Sequence, residues 1–286
     1  MPPDWRRCLK VGGITLAGMF AIAGGLSLVD ESQDPVIEAI SIPIRGLHPA
    51  LDGFTIVQIT DIHLRPYTRP NLVRRSIAMA NQLQPDLFVL TGDYVWQSHE
   101  AIYEVASLLS GINARYGVYS VMGNHDYWLD IRALRSAFDA SRIPILCNEG
   151  LAIGVGKAVL YLAGMDDGWS GRPDLKPALD HAPTGAPIIL LLHEPDLADE
   201  ICQDARVTLQ LSGHTHGGQV HATGKSPIFQ PHLGKKYPYG LYRVKDLWLY
   251  TNRGLGVISI PLRINCPPEI TQITLVAEKR VHDFIH

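Results

Sequence analysis

The chain has 286 residues, 46% of them hydrophobic and 19% charged, with a formal net charge of -3. That length can bury one substantial core, and the near-neutral charge argues against a surface built to grip nucleic acid, which needs clustered Lys and Arg. The four cysteines, Cys8, Cys147, Cys202 and Cys266, form no C-x-x-C pair and give no support for a disulfide framework.

Val11 to Val29 runs without a charge. As a helix it spans about 28 Å at 1.5 Å per residue, close to the hydrocarbon thickness of a bilayer. Arg6, Arg7 and Lys10 precede it and Asp30, Glu31 and Asp34 follow. The positive-inside rule then puts the terminus in the cytoplasm and the rest of the chain on the extracytoplasmic side. Residues 1–30 therefore read as an N-terminal hydrophobic helix that anchors the protein to a membrane. A cleaved export signal is the alternative, favoured by the glycines and by Ala21-Ile22-Ala23, with a buried soluble helix third. Residues 31–50, with Pro35, Pro43 and Pro49, read as a linker and an edge strand, and 51–286 as the main domain.

Phe54 to Thr60 is a β-branched run that reads as a buried strand, and Asp61-Ile62-His63 follows it directly. Val73, Ile77, Ala80 and Leu83 then recur at helical spacing. Leu87 to Thr91 leads into Gly92-Asp93, and Val118 to Met122 leads into Gly123-Asn124-His125-Asp126. A second helical pattern, Ile131, Leu134 and Phe138, comes next. Ile188 to Leu192 precedes His193, and Leu209-Gln210-Leu211 precedes Gly213-His214-Thr215-His216. Strands alternating with helices indicate a layered α/β domain, and strand ends are where sites assemble in such sheets.

Extended backbone would present Asp61 with His63, and His214 with His216, on one face. The donors are two carboxylates, one amide oxygen and four imidazoles, a set suited to Mn²⁺, Fe or Zn²⁺ rather than Ca²⁺. Other histidines, including His48, His99 and His181, read as surface or core residues, and His221 and His232 as structural or rim residues. Lys225 to Gly240 reads as a long irregular loop suited to a substrate-shaping lid. Arg253 and Arg263 are candidates for binding an anionic substrate, because a guanidinium matches paired oxygens in a bidentate fork.

The order D-x-H, G-D, G-N-H-D, H, G-H-x-H resembles the calcineurin-like metallophosphoesterase superfamily over residues 51 to 280. Gly217-Gly218-Gln219, Asn252-Arg253-Gly254-Leu255-Gly256 and Pro261 to Asn265 are similar to its bacterial branch of YkuE- and YaeI-like phosphodiesterases, which also holds a UDP-2,3-diacylglucosamine pyrophosphatase of lipid A synthesis. The resemblance implies a four-layer αββα metallophosphoesterase sandwich with two divalent metal ions. Asp61, His63, Asp93 and His216 would hold the first, and Asp93, Asn124, His193 and His214 the second, with Asp93 bridging.

The implied reaction is hydrolysis of a phosphodiester or pyrophosphate bond by attack of a metal-bridging hydroxide. His125 is placed to act as general acid or phosphate stabiliser, and Asp126 to orient its ring or raise its pKa. The expected partner is a phosphoester or lipid-linked pyrophosphate substrate held beside a membrane, UDP-2,3-diacylglucosamine being the most distinctive candidate. A phosphomonoesterase or phosphoprotein phosphatase is the alternative. A scaffold without chemistry would be expected to have lost ligands, and all seven are present.

Overall fold

A computed structural model of the chain describes residues 34–278 apart from 222–226, 228–229 and 260. The apolar N-terminal segment, with its anchor and signal readings, lies outside the described residues. Among the described residues, no helix is long and apolar enough to cross a membrane.

Two mostly parallel sheets carry the domain. The first has five strands in the order β1 (Val36–Ile44), β11 (Glu269–Ala277), β2 (Thr55–Ile59), β3 (Leu87–Thr91) and β4 (Val118–Val121). The second has six, in the order β5 (Glu149–Val155), β6 (Ala158–Gly164), β7 (Ile188–Leu191), β8 (Val207–Ser212), β10 (Leu247–Thr251) and β9 (Gly240–Val244). β2, β3 and β4 run parallel, as do β6, β7, β8 and β10. β1, drawn from the stretch read as linker and edge strand, pairs with β11 at one edge of the first sheet.

Alternation along the strands decides the layering, because successive side chains leave opposite faces of a sheet. Ile56, Leu87 and Val89 of the first sheet meet Leu160, Leu162, Ile189, Leu191, Leu209 and Leu211 of the second in one apolar core. Val57, Ile59, Phe88 and Leu90 face the other way, onto α1 (Pro70–Gln82), α2 (Glu100–Leu109) and α3 (Asn124–Ala140). Tyr161, Ala163, Ile188, Leu190, Leu247 and Leu249 likewise turn outward onto α4 (Leu175–Leu179) and α5 (Ala198–Ile201). The three cores make four layers, helix, sheet, sheet, helix.

The helices bury the positions that their periodicity predicts, Val73, Ile77 and Ala80 in α1 and Leu134 and Phe138 in α3. α3 is bent at Asp130, whose φ of -163° lies outside helical space. The carboxylate of Asp130 accepts from the backbone N–H of Ala133 at 3.0 Å, so it caps the helix as it restarts. Between the sheets, the buried Gln58 amide donates to Thr91 Oγ1 at 2.8 Å and to the Ser212 carbonyl at 2.9 Å. This bridge ties the ends of β3 and β8 together beneath the clusters that follow them in sequence.

Candidate metal centre

Asp61, Asp93 and Asn124 follow β2, β3 and β4, while His193 and His214 follow β7 and β8. All five clusters thus open from the carboxyl ends of strands in two sheets that face each other. The strand-like geometry expected for Asp61 with His63 and for His214 with His216 is not what brings them together. Asp61 (φ 49°), His63 (φ 45°), Asp93 (φ 57°), His214 (φ 73°) and His216 (φ 52°) all occupy the left-handed region. That region costs most L-residues on the order of 1 kcal/mol or more, so tertiary contacts must hold it.

Those contacts are visible. Asp61 and His63 donate their N–H groups to the carbonyls of Gly92 and Asp93, both at 3.0 Å, so the two loops run side by side. His214 N–H donates to the Asp61 carboxylate at 2.9 Å. Packing this tight needs glycine: a Cβ at Gly123 would lie 2.3 Å from Asp93 Oδ1, and one at Gly213 would lie 2.2 Å from Asp61 Oδ2.

The side chains converge on two neighbouring groups, linked by a third made of His63, Asp93 and His125. Asp61, His63 and His216 form one, and Asp93, His193 and His214 form another, each with its ligand atoms within 4.8 Å of one another. Asp93 Oδ2 lies 3.3 Å from His63 Nε2 and 3.1 Å from His193 Nε2, between the two groups. His193 Nδ1 meets the Thr91 carbonyl at 2.6 Å, and His214 Nε2 meets the His232 carbonyl at 2.7 Å. Each carbonyl fixes the proton on one ring nitrogen and leaves the other as a lone-pair donor, as ligating imidazoles require.

A cation fits this donor set. His193 Nε2 and the Asn124 amide oxygen are buried without a hydrogen-bond partner. Such orphaned groups cost about 1–3 kcal/mol each unless something else satisfies them. Electrostatics agree for two rings. Burial, helped by the field of His193, pushes His214 down to about 3, and burial with the fields of His63 and Arg263 holds His216 well below the usual imidazole value. Neutral imidazole is the ligating form. Burial also opposes charge on Asp93, yet the neighbouring His193 and His125 hold its carboxyl well below the usual range.

His125 borders the cluster, its ring nitrogen grouped with His63 and Asp93. Burial pushes it down to about 4 against the attraction of Asp93, with His63 and His193 adding to the fall. Asp126 does not orient that ring. Its carboxylate accepts from the backbone N–H groups of Asp93, Tyr94 and Gly123, each at 2.9 Å, so it buttresses the loop that carries Asp93.

The two arginines are likewise committed inward. Arg253 pairs with Glu269 at 2.5 Å and with Glu38 at 2.6 Å. Arg263 is 4% exposed, and its guanidinium donates to the carbonyls of Arg253, Gly254 and Gly256. A guanidinium so enclosed organises the loop after β10 instead of presenting a fork to substrate. That loop in turn supports the centre, since Gly256 N–H donates to the Asp61 carbonyl at 2.7 Å.

Residues 54–218 match the family of calcineurin-like phosphoesterases. This chain belongs to that family. It is 35% identical over 273 residues to the uncharacterized metallophosphoesterase YkuE of Bacillus subtilis, covering 92% of this chain and 94% of that one. The phosphodiesterase YaeI of Escherichia coli is 30% identical, with 95% and 98% covered. A transmembrane protein with metallophosphoesterase domain from Danio rerio is 32% identical over 89% of this chain and 60% of its own length. Among solved structures, the sulfate thiohydrolase SoxB of Thermus thermophilus shares the fold at 15% identity and a TM-score of 0.50, covering 73% of this chain and 53% of that one. As a calcineurin-like phosphoesterase, the protein is a hydrolase of the metallophosphoesterase class.

Three tryptophans around the centre carry no sequence signal beyond residue type. Trp96 lies 4.5 Å from the His125 ring and 5.5 Å from His63, centroid to centroid. Trp128 lies 4.5 Å from His125 on another side, and Trp169 links Trp128 at 5.0 Å to His214 at 5.9 Å. The expected lid is only partly described: residues 235–237 donate three backbone N–H groups to the Asp196 carboxylate, which straps that end of the loop to the segment after His193.

Proposed function

We propose that the protein is a dinuclear metal-dependent phosphodiesterase. The position of Asp93 Oδ2 between His63 and His193 carries this reading, because one carboxylate shared by two ligand groups is what a pair of cations needs to sit close together. Asp61, His63, Asp93 and His216 would hold one ion, and Asp93, Asn124, His193 and His214 the other. The mixed nitrogen and oxygen donors favour Mn²⁺, Fe or Zn²⁺. When bound, such a pair activates water and offsets charge on the phosphoryl oxygens.

The chain's own residues do the rest. Asn124 brings a neutral oxygen, so the second ion keeps more of its charge for the phosphate. His125, held neutral, donates a ring N–H hydrogen bond to the leaving or non-bridging oxygen. Asp126 keeps Asp93 in place through the backbone.

A diester is favoured over a monoester by the likeness to the phosphodiesterase YaeI. Membrane association through residues 11–29 is part of the proposal, supported by the charge-free run there and by relatives named as transmembrane proteins. A lipid-linked pyrophosphate fits a place beside the membrane; UDP-2,3-diacylglucosamine, a nucleotide-linked substrate found in the cytoplasm, fits only a domain that faces inward, against the charge rule. Hydrolysis of bis-p-nitrophenyl phosphate and of p-nitrophenyl phosphate by the Mn²⁺-loaded protein, with Asp93→Asn as control, tests the reading. Diester preference that vanishes in the control is expected; a strong monoester preference would sink it.

A further inference from the structure

We infer that Trp128 and Trp169 form a stacking subsite that selects phosphodiesters bearing a planar heteroaromatic group, a nucleobase being the natural example. This rests on the phosphodiesterase reading above and names the substrate class of that same centre. The two indoles meet edge to face, at 83° with centroids 5.0 Å apart. They form a corner with one ring as floor and the other as wall. Both are surface residues, 53% and 42% exposed, although indole rings of this size are ordinarily covered.

The corner is tied to the metal centre at both ends. Trp128 touches the His125 ring and Trp169 touches the His214 ring, so a group seated there lies one ring's breadth from where a phosphate would be held. A cleft lined by Trp96, Gln97, His125, Trp128 and Leu129 opens beside it. The indole N–H of Trp128 donates to Ser170 Oγ at 2.8 Å, which fixes the ring's rotation and spends its only donor. What remains to recognise a ligand is the π-face. A π-face binds planar bases with little regard to their sequence, typically with a tenfold effect or more.

The same rings could have suited a bilayer surface, where Trp is common. A Trp at a bilayer surface turns its polar edge to the wet headgroups, whereas the Trp128 N–H is spent within the protein on Ser170. The stacking reading therefore has the better support.

The test compares two diesters with one leaving group, the p-nitrophenyl ester of thymidine 5′-monophosphate and methyl p-nitrophenyl phosphate, on the Mn²⁺-loaded full chain. The ratio of their kcat/KM values is expected to favour the nucleotide by about tenfold, expressed in KM. Trp128→Ala and Trp169→Ala should bring the ratio close to one, while Trp128→Phe and Trp169→Phe keep most of it. As a readout free of any variant, thymidine alone should compete with methyl ester hydrolysis by the wild type. Equal kcat/KM for the two diesters, an unchanged ratio in both alanine variants, or loss of binding to phosphatidylglycerol vesicles in those variants with the ratio intact overturns the subsite. Hydrolysis of neither diester sinks the phosphodiesterase reading itself, and the subsite with it.

Discussion

His63 Nε2 and His216 Nε2 lie 3.0 Å apart, brought together from positions 153 residues distant in sequence. Asp61 Oδ1 is 3.3 Å from the same nitrogen of His216. Two imidazole nitrogens at that distance can share one proton, whereas a cation can accept both lone pairs. Chelation should therefore lower the melting temperature, and Mn²⁺ or Zn²⁺ should restore it. Saturation at one hundred times Kd stabilises by about 2.7 kcal/mol per independent site. A melting curve indifferent to chelator and to added ion counts against the centre.

Asp93→Asn keeps the shape of the side chain but removes the charge that faces both ligand groups. Bound metal should fall from two ions per chain, and kcat/KM on a diester should drop by at least about 100-fold, the scale of losing one group that stabilises developing charge. Metal analysis beside the kinetic assay checks this; full occupancy at full rate would remove Asp93 from the bridging role.

Asp126→Asn should act through position. The amide has one accepting oxygen where the carboxylate serves the N–H groups of Asp93, Tyr94 and Gly123. An unserved buried donor costs about 1–3 kcal/mol. Chemical denaturation of the metal-free variant should show a loss of that order, and its kcat should fall more than its KM rises. Unchanged stability would mean that the buttress is dispensable.

Arg263→Lys should destabilise the fold. A lysine keeps the charge but cannot span the carbonyls of Arg253, Gly254 and Gly256, so a loss of about 3 kcal/mol is expected from the denaturation midpoint. If stability held while KM rose, the guanidinium would belong to substrate after all.

The layered fold and the meeting of the clusters were legible because each cluster follows an apolar run, and such runs end together at a sheet's edge. Val73, Ile77 and Ala80 buried one face of α1 as their spacing predicts. The backbone of the loops was not legible. Asp61-Ile62-His63 carries no glycine to signal left-handed φ, and contacts from distant loops, among them the one at Gly92 and Asp93, impose it. The arginines misled for a related reason: a cage of carbonyls is assembled from turns at 253–256, and nothing periodic announces it. Trp96 and Trp169 sit on two separate loops and Trp128 on α3, so their proximity follows from the closing of the sheets over one another.

The left-handed ligands also bear on how the chain can drift. At Asp61, His63, Asp93, His214 and His216 a glycine would rest more easily than the residue present, and it would shed a buried charge or ring as well. Random substitution there should sometimes yield a protein that melts higher than the metal-free parent and hydrolyses nothing. Durability and catalysis pull these five positions in opposite directions, and their side chains remain only where the reaction is still demanded of them.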